Sequence, residues 1–595
     1  MGGIVGLIGE GSVAELESMA ARMPYRGTVR TWSPARGVYL GELTHGGRGS
    51  PPAGAESFAV DTAGTTTPRA EIEHLLKTRG PVAGAASIRG FFAVASWDEA
   101  SRSLQLICDR HGYKSLYIAH LPGRVALASD LKALLALPDL QASVDRDVLQ
   151  MYLRSRSFPS ERSLLASAQP IGGASVWTLS PSGTLRAVPY WKPIRRVKLG
   201  RSFSAAAGEL REILQKTMLR QLEGRDHIAL ALSGGLDSAC VLALARHVRP
   251  DMHITTYTVG HGEDDPEIVR AREAADYFRT EHRECFLPPE KVPAEMRRLA
   301  WLTEDLTGRE EAALQQVLTA EMASRERAYL VGHGADAAFA GMPRYRLIWL
   351  RDHAPPPLRG ALDELFVYTQ RRTEPRSWLG QRLASLAFHG DRPAMPRVTN
   401  AAELPGNGSP ASLDEYCGTA ISGIEGMRFH EPMEVAGDVT MVAPFFDPAV
   451  VEFALTCPTH FLIDARKQKR VLRAAMRGVL PTEISQRGKL IQRMKHDTRL
   501  SDVLDDFAGQ LRLRESLASR CLLPAEYLTG LQSRARDTAY SSERLHLLWA
   551  MISAELWMRQ FIDRRGTSES SRTFTARQPI EVPASASASQ PAPIP

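Results

Sequence analysis

Six residues, Ser233-Gly234-Gly235-Leu236-Asp237-Ser238, follow a short apolar run, His227 to Leu232, and precede a stretch with helical spacing from about Ser238 to His247. A buried strand that ends in two glycines and then starts a helix offers a backbone that can approach a ligand closely and point N–H groups at it. Such a nest suits phosphate or pyrophosphate. The hydroxyls of Ser233 and Ser238 add donors, and Asp237 adds a hard oxygen ligand for Mg²⁺. The pattern is not GxxxxGK[ST], the loop that serves phosphoryl transfer. A second cluster, Gly332-His333-Gly334-Ala335-Asp336, follows another apolar run at Tyr329 to Val331. At the C-terminal end of a neighbouring strand, Asp336 falls at the crevice where open α/β sheets bind ligands, so Asp237 and Asp336 are expected to share Mg²⁺. A third cluster runs from Asp464 to Lys489. Lys469-Arg470-Val471-Leu472-Arg473 opens a helix, Leu480-Pro481 stops it, and Arg487-Gly488-Lys489 follows. A cation near an α-phosphate would stabilise charge built up there. Lys489 is the candidate, with a solvated surface lysine as the bland alternative.

Two kinds of element must position these groups. To about residue 195 the chain shows short apolar strands: Gly3 to Ile8, Gly90 to Asp98, Leu104 to Asp109 and Val125 to Ala128, the last running into a helix at Asp130 to Leu135. Residues 45–67, rich in Gly, Pro and Thr, read as loop, which leaves a β-rich domain with few helices. Lys192 to Ser202 reads as a basic linker. Beyond it, helices (Phe203 to Leu222, Arg270 to Phe278) alternate with strands (His227 to Leu232, Ile254 to Val259, Ala328 to Val331), which predicts an α/β domain with a parallel sheet. From about residue 345 the pattern is mostly helical. The Ser-, Ala- and Pro-rich stretch 564–595 is expected to be disordered. The expected units are 1–195, 203–563 and the tail.

Composition narrows the function. At 595 residues, two or three domains are expected; 44% hydrophobic and 24% charged residues fit a globular enzyme. The net charge of +6 is spread along the chain without a Lys/Arg block, so no nucleic-acid partner is expected. Six dispersed cysteines suggest neither a zinc site nor a disulfide framework. No apolar run is long enough to span a bilayer, and Met1 to Ile8 lacks the basic start and cleavage site of a signal peptide. A reduced, cytoplasmic setting is expected.

Ser233 to Ser238 resembles the loop of ATP-pyrophosphatases. The three clusters, in this order and spacing, resemble the synthetase domain of the asparagine synthetase B superfamily. The N-terminal part is similar as well. Met1 to Gly6 resembles the opening M-C-G-I-V-G, and Gly90 to Ala93, Asp109 to Tyr117 and Ala128 to Leu134 resemble further family stretches. Tyr190-Trp191 falls where that family closes its first domain, and Pro444-Phe445-Phe446-Asp447 resembles its P-F-L-D. The resemblance implies a two-domain α/β protein. An N-terminal, β-rich, Ntn-hydrolase-like (glutaminase-like) sandwich would precede a parallel-sheet ATP-pyrophosphatase domain of the adenine nucleotide α-hydrolase kind, with a helical extension. It implies ATP and Mg²⁺ as cofactors, a nucleotide site formed by Ser233 to Ser238 with Leu232, Val259 and Gly332, and Lys489 as oxyanion stabiliser.

Two departures from the family pattern carry information. Glutamine-dependent members use a cysteine at position 2 as nucleophile. Here Gly2 stands there, and the N-G-E-x-Y-N glutamine-binding stretch is missing, which implies a retained but inactive glutaminase fold. His333 takes a position where asparagine synthetases carry an acidic residue and β-lactam synthetases a tyrosine, so it is a candidate base, with a merely packing histidine as the alternative. A synthetase without an ammonia source takes its amine from elsewhere, most simply from the substrate itself. The leading expectation is a macrolactam synthetase of the lasso peptide cyclase branch, acting on a precursor peptide beside a leader peptidase partner. A small-molecule amide synthetase (ammonia-dependent asparagine synthetase or β-lactam synthetase-like) and a degenerate scaffold remain open.

Overall fold

The computed structural model describes residues 2–45, 57–64, 67–155, 161–304, 306, 311–371, 377–387, 412–422, 429–488, 498–520, 522 and 542–564. The N-terminal part is built from β1 (Gly2–Gly9), β2 (Thr28–Ala35), β3 (Val38–Thr44), β4 (Phe58–Ala63), β5 (Phe91–Asp98), β6 (Ser103–Cys108), β7 (Tyr117–Leu121), β8 (Arg124–Ala128), β9 (Gln169–Pro170), β10 (Ser175–Leu179) and β11 (Leu185–Pro189). Among the described residues these form two antiparallel sheets, ordered β2-β3-β1-β8-β7-β9 and β11-β10-β6-β5-β4. The sheets face each other. Ile4, Leu40 and Leu127 of the first share a core with Ala93, Leu104 and Leu106 of the second. The alternation along β1 sends Val5 and Leu7 the other way, into a core shared with Leu299, Trp301 and Trp557 of the C-terminal part. That double burial is why β1 reads as an unbroken apolar run.

The C-terminal sheet comprises β12 (His227–Ala231), β13 (His253–Gly260), β14 (Glu281–Phe286), β15 (Ala328–Leu330) and β16 (Thr440–Val442), all parallel, in the order β14-β13-β12-β15-β16. The order reverses at β12, with β13 on one side and β15 on the other, so the C-terminal ends of β12 and β15 bound a crevice. The helix Leu236–Val248 leaves β12 there.

Several expectations need correction. Part of the stretch 45–67 is not loop: Phe58–Ala63 pairs with β5 along its whole length, its four buried apolar side chains outweighing the Gly- and Thr-rich surroundings. The N-terminal part also carries helices over Val13–Ala20, Arg69–Ser87 and Arg146–Ser155, more than expected. A short strand, β16, lies within the region read as helical. The segment 192–202 is not a free linker. The N–H groups of Arg196 and Lys198 donate to the carbonyls of Leu455 and Thr456, and Arg195 pairs with Asp414. The expected disordered stretch lies, past Arg564, outside the described residues.

A buried charge network joins the two parts. The Arg26 guanidinium, fully buried, donates to Asp130 (3.0 and 2.6 Å), to both oxygens of Glu431 (2.9 Å each) and to the Gly2 carbonyl (2.7 Å). Lys114 reaches Glu431 at 2.7 Å and Asp61 at 3.0 Å, and Lys132 reaches Glu304 at 2.8 Å. Tyr113 and Tyr329 donate to Glu434 at 2.6 and 2.9 Å; burial nevertheless pushes that carboxyl up to about 8. Within this interface the Asp109 carboxylate accepts the backbone N–H groups of His111, Tyr113 and Lys114, fixing the turn that aims Tyr113 and Lys114 across it.

Candidate active site

The loop between β12 and its helix is shaped by three local facts. Gly234 adopts φ +65°, and a side chain there would overlap the backbone of Arg270 and Ala271. Gly235 is the residue before the first helical turn. The helix begins at Leu236, two residues earlier than expected, so Asp237 and Ser238 lie in its first turn, where N–H groups have no intrahelical acceptor. Ser233 is exposed, whereas Ser238 is buried and turned inward. Its Oγ accepts the Ser233 N–H at 3.2 Å and lies 3.2 Å from the Ser233 hydroxyl. Ser238 thus braces the loop, and Ser233 is left to face a ligand. Leu232, buried, donates its N–H to the Tyr257 carbonyl and Val259 lies on the adjacent β13, so both belong to the wall of the crevice. Gly332 passes so close to the loop that a Cβ there would come within 2.6 Å of the Ser238 nitrogen and 2.9 Å of the Asp237 Cβ. The first two sequence clusters are therefore in contact.

Asp237 and Asp336 converge on one cation, and that cation belongs to the chain. Lys469 Nζ lies 2.6 Å from each carboxylate oxygen of Asp237 and 2.6 Å from Asp336 Oδ1. Its side chain is 6% exposed, against 23% and 25% for the two aspartates. Burial works against the ammonium, but the two carboxylates outweigh it and hold its pKa above the usual lysine value. Lys469 sits in the left-handed region (φ +55°) just before the helix Arg470–Ala475. The room for its chain comes from Gly341, where a Cβ would overlap both Lys469 Cε and Asp336 Oδ1. In the sequence Lys469 marks only the start of a helix. The available signal was a second lysine in the same basic cluster as Lys489. Lys489 itself lies outside the described residues.

The two carboxylates are the hard oxygen donors that a Mg²⁺ completed by substrate phosphates and water would use, but the point on which they close is filled by the Lys469 ammonium, which would have to turn aside for the ion. His333 is half-buried, and its ring meets that of His430 edge-on, centroids 4.9 Å apart. His430 is buried against Phe429, and burial together with His333 holds its pKa well below the ordinary histidine value. A buried imidazole held neutral therefore packs against His333.

At position 2 the backbone is closed. Gly2 pairs with Thr44 across β1 and β3, its N–H donates to Asp61 at 3.0 Å, and a Cβ built on it would overlap the Leu43 carbonyl oxygen. The Leu43 carbonyl occupies the space that a side chain at position 2 would need.

The candidate site is thus a glycine-rich loop at the switch point of a parallel sheet, in a chain whose N-terminal part is a two-sheet β-sandwich. Residues 209–559 match the family model "Asparagine synthase" and residues 65–191 the model "Glutamine amidotransferase domain". The chain belongs to the asparagine synthase family and is an ATP-dependent, amide-bond-forming ligase. Asparagine synthetase [glutamine-hydrolyzing] 1 of Bacillus subtilis is 22% identical over 537 residues, 84% of this chain and 81% of its own. A putative asparagine synthetase [glutamine-hydrolyzing] of Mycobacterium tuberculosis is 23% identical over 514 residues (80% and 77%). Carboxyethyl-arginine beta-lactam-synthase of Streptomyces clavuligerus is 26% identical over 301 residues (48% and 51%). Among the described residues no helix is long and apolar enough to cross a membrane.

Proposed function

We propose that the protein adenylates a side-chain carboxylate of a precursor peptide and closes an isopeptide macrolactam ring of the lasso peptide type. The observation that carries this reading is position 2: it has no nucleophile and no room for one, so glutamine is not the amine source. A substrate that brings its own amine needs no ammonia, and holding both ends of one molecule together makes the attack effectively unimolecular.

The pyrophosphate part of ATP lies on the nest formed by Ser233 to Ser238. Asp237 and Asp336 would hold Mg²⁺ once the Lys469 ammonium turns from them toward the phosphates, and the ion would supply charge neutralisation there. An Asp or Glu carboxylate of the peptide attacks the α-phosphorus, and pyrophosphate leaves. The peptide's N-terminal amine attacks the acyl carbon, His333 takes the amine proton, and AMP leaves with the former carboxylate oxygen. Lys469 neutralises the leaving pyrophosphate, and Lys489 steadies the oxyanion. A leader peptidase would supply the trimmed peptide.

The test combines purified protein, Mg²⁺–ATP and a leader-free candidate peptide, with intact mass and nucleotide chromatography as readouts. A peptide lighter by one water, with AMP, supports macrolactam synthesis. AMP with an unchanged peptide points to a different acceptor, tested next with aspartate plus ammonium and with β-amino acids. ADP in place of AMP overturns the adenylation reading. Asp237→Ala and Lys489→Ala are each expected to abolish AMP formation, and a wild-type rate in either refutes its assignment.

A further inference from the structure

We propose that Arg487 is a positioning residue that sets the conformation of the pyrophosphate loop; this rests on the reading of Ser233 to Ser238 as that loop. A nest presents N–H groups to an anion only while its carbonyls point away, and a carbonyl turned inward needs its own donor. For Gly234 the donor is Arg487, whose NH1 gives hydrogen bonds to the Gly234 carbonyl at 3.1 Å and to the Arg270 carbonyl at 2.9 Å. Its NH2 pairs with Glu273, one turn along the same helix, Pro266–Phe278. Arg270 answers in the opposite direction, its NH1 donating to the Gly488 carbonyl at 3.0 Å.

The outcome is a reciprocal clasp. The segment after the helix Thr482–Ser485 is tied to the helix that follows β13, and both are tied to the loop after β12. The pinned peptide is the one whose φ of +65° and lack of a side chain let it lie against Arg270. The Arg487 side chain is 14% exposed, and its NH1 donates to two backbone carbonyls. A planar guanidinium can serve two carbonyls and a carboxylate at once; a single ammonium on a flexible stem cannot hold all three in that plane.

The experiment measures binding of Mg²⁺–pyrophosphate and, separately, of AMP by calorimetry to wild type, Arg487→Lys and Arg487→Met. Both variants are expected to bind pyrophosphate at least about tenfold more weakly and AMP within about twofold of wild type. Wild-type pyrophosphate affinity in both variants overturns the proposal. So does a normal Arg487→Lys beside a weak Arg487→Met, because charge alone would then suffice. Equal losses for pyrophosphate and AMP overturn it as well, since they mean a general loss of structure. If wild type itself fails to bind pyrophosphate, the loop reading falls and the proposal with it. Should Arg487→Met not fold, Glu273→Gln, at a side chain 57% exposed, provides the second variant. It is expected to weaken pyrophosphate binding by about threefold and leave AMP binding unchanged, and unchanged pyrophosphate binding in it counts against the clasp.

Discussion

Replacing Arg26 with methionine tests whether the two parts of the chain are held by their buried charges. Arg26 is fully buried and donates five hydrogen bonds of 3.0 Å or less, two to Asp130, two to Glu431 and one to the Gly2 carbonyl. Methionine of similar length fills the space but leaves Asp130 to Lys132 and Tyr25, and Glu431 to Lys114. Breaking a buried pair by removing one partner costs about 3–5 kcal/mol, and the remaining cations place the expected loss at the lower end, about 3 kcal/mol. Glu431→Gln alone leaves Arg26 and Lys114 short of a carboxylate and is expected to cost a similar amount. Because the two residues share one interaction, the double variant should cost less than the sum by about 1.5 kcal/mol or more. Urea unfolding followed by tryptophan fluorescence is the assay. Trp301, 5.4 Å from the Tyr25 ring and 4.9 Å from the Lys132 ammonium, reports on this interface. A loss under about 1 kcal/mol for Arg26→Met, the range of solvent-exposed pairs, would refute the reasoning.

Lys469→Met is expected to lower AMP formation at least a hundredfold, because the leaving pyrophosphate would lose the ammonium that neutralises it; a rate within threefold of wild type in a nucleotide assay refutes this. Gly2→Cys is expected to produce no glutaminase activity and to destabilise the protein, because its Cβ meets the Leu43 carbonyl; glutamate release from glutamine is the check. Burial and, next, Arg110 hold the His111 pKa down at about 3, against about 6.5 in an unfolded chain. The folded state therefore binds fewer protons across that interval, and its stability falls as the pH drops from about 6.5 toward 3, by about 1.4 kcal/mol per pH unit from this group. Glu434, pushed up to about 8, acts in the opposite direction from about pH 4.5 upward, so the comparison is wild type against His111→Phe. The variant should lose that share of the acid sensitivity, and identical slopes by denaturant titration refute the assignment.

The sheet that carries the candidate site was legible because its signals are local: apolar runs at β12 and β15 and a β-branched run at β13, each followed by glycine and a carboxylate. The pairing of Asp237 with Asp336 followed from that, since parallel strands put their C-terminal ends together. The ion that sits between them was not legible. Lys469 arrives from 133 residues beyond Asp336, through a left-handed residue and past Gly341, and no short-range pattern reports such an approach. The strand Phe58–Ala63 was hidden by its Gly- and Thr-rich flanks. Asp109 to Lys114 and Ala128 to Lys132 were visible as family stretches, but their task is three-dimensional: Lys114, Tyr113 and Lys132 satisfy Glu431, Glu434 and Glu304 across the interface. A buried ion pair between residues hundreds of positions apart leaves no periodicity in either segment.

The strap at residues 192–202 has a consequence for how the chain is connected. Its backbone is fastened at Arg196 and Lys198, and Arg201 lies over the Phe453 ring with its centroid 4.6 Å away, yet Leu199 between them is 83% exposed. A peptide bond cut at that point would leave both cut ends anchored to the helix Pro448–Thr456 or the residues that follow it. The covalent link thus adds little that burial and charge do not already provide. A chain nicked at Leu199 is therefore expected to keep its two parts together through a size-exclusion column, joined by the buried network at Arg26, Lys114 and Glu431.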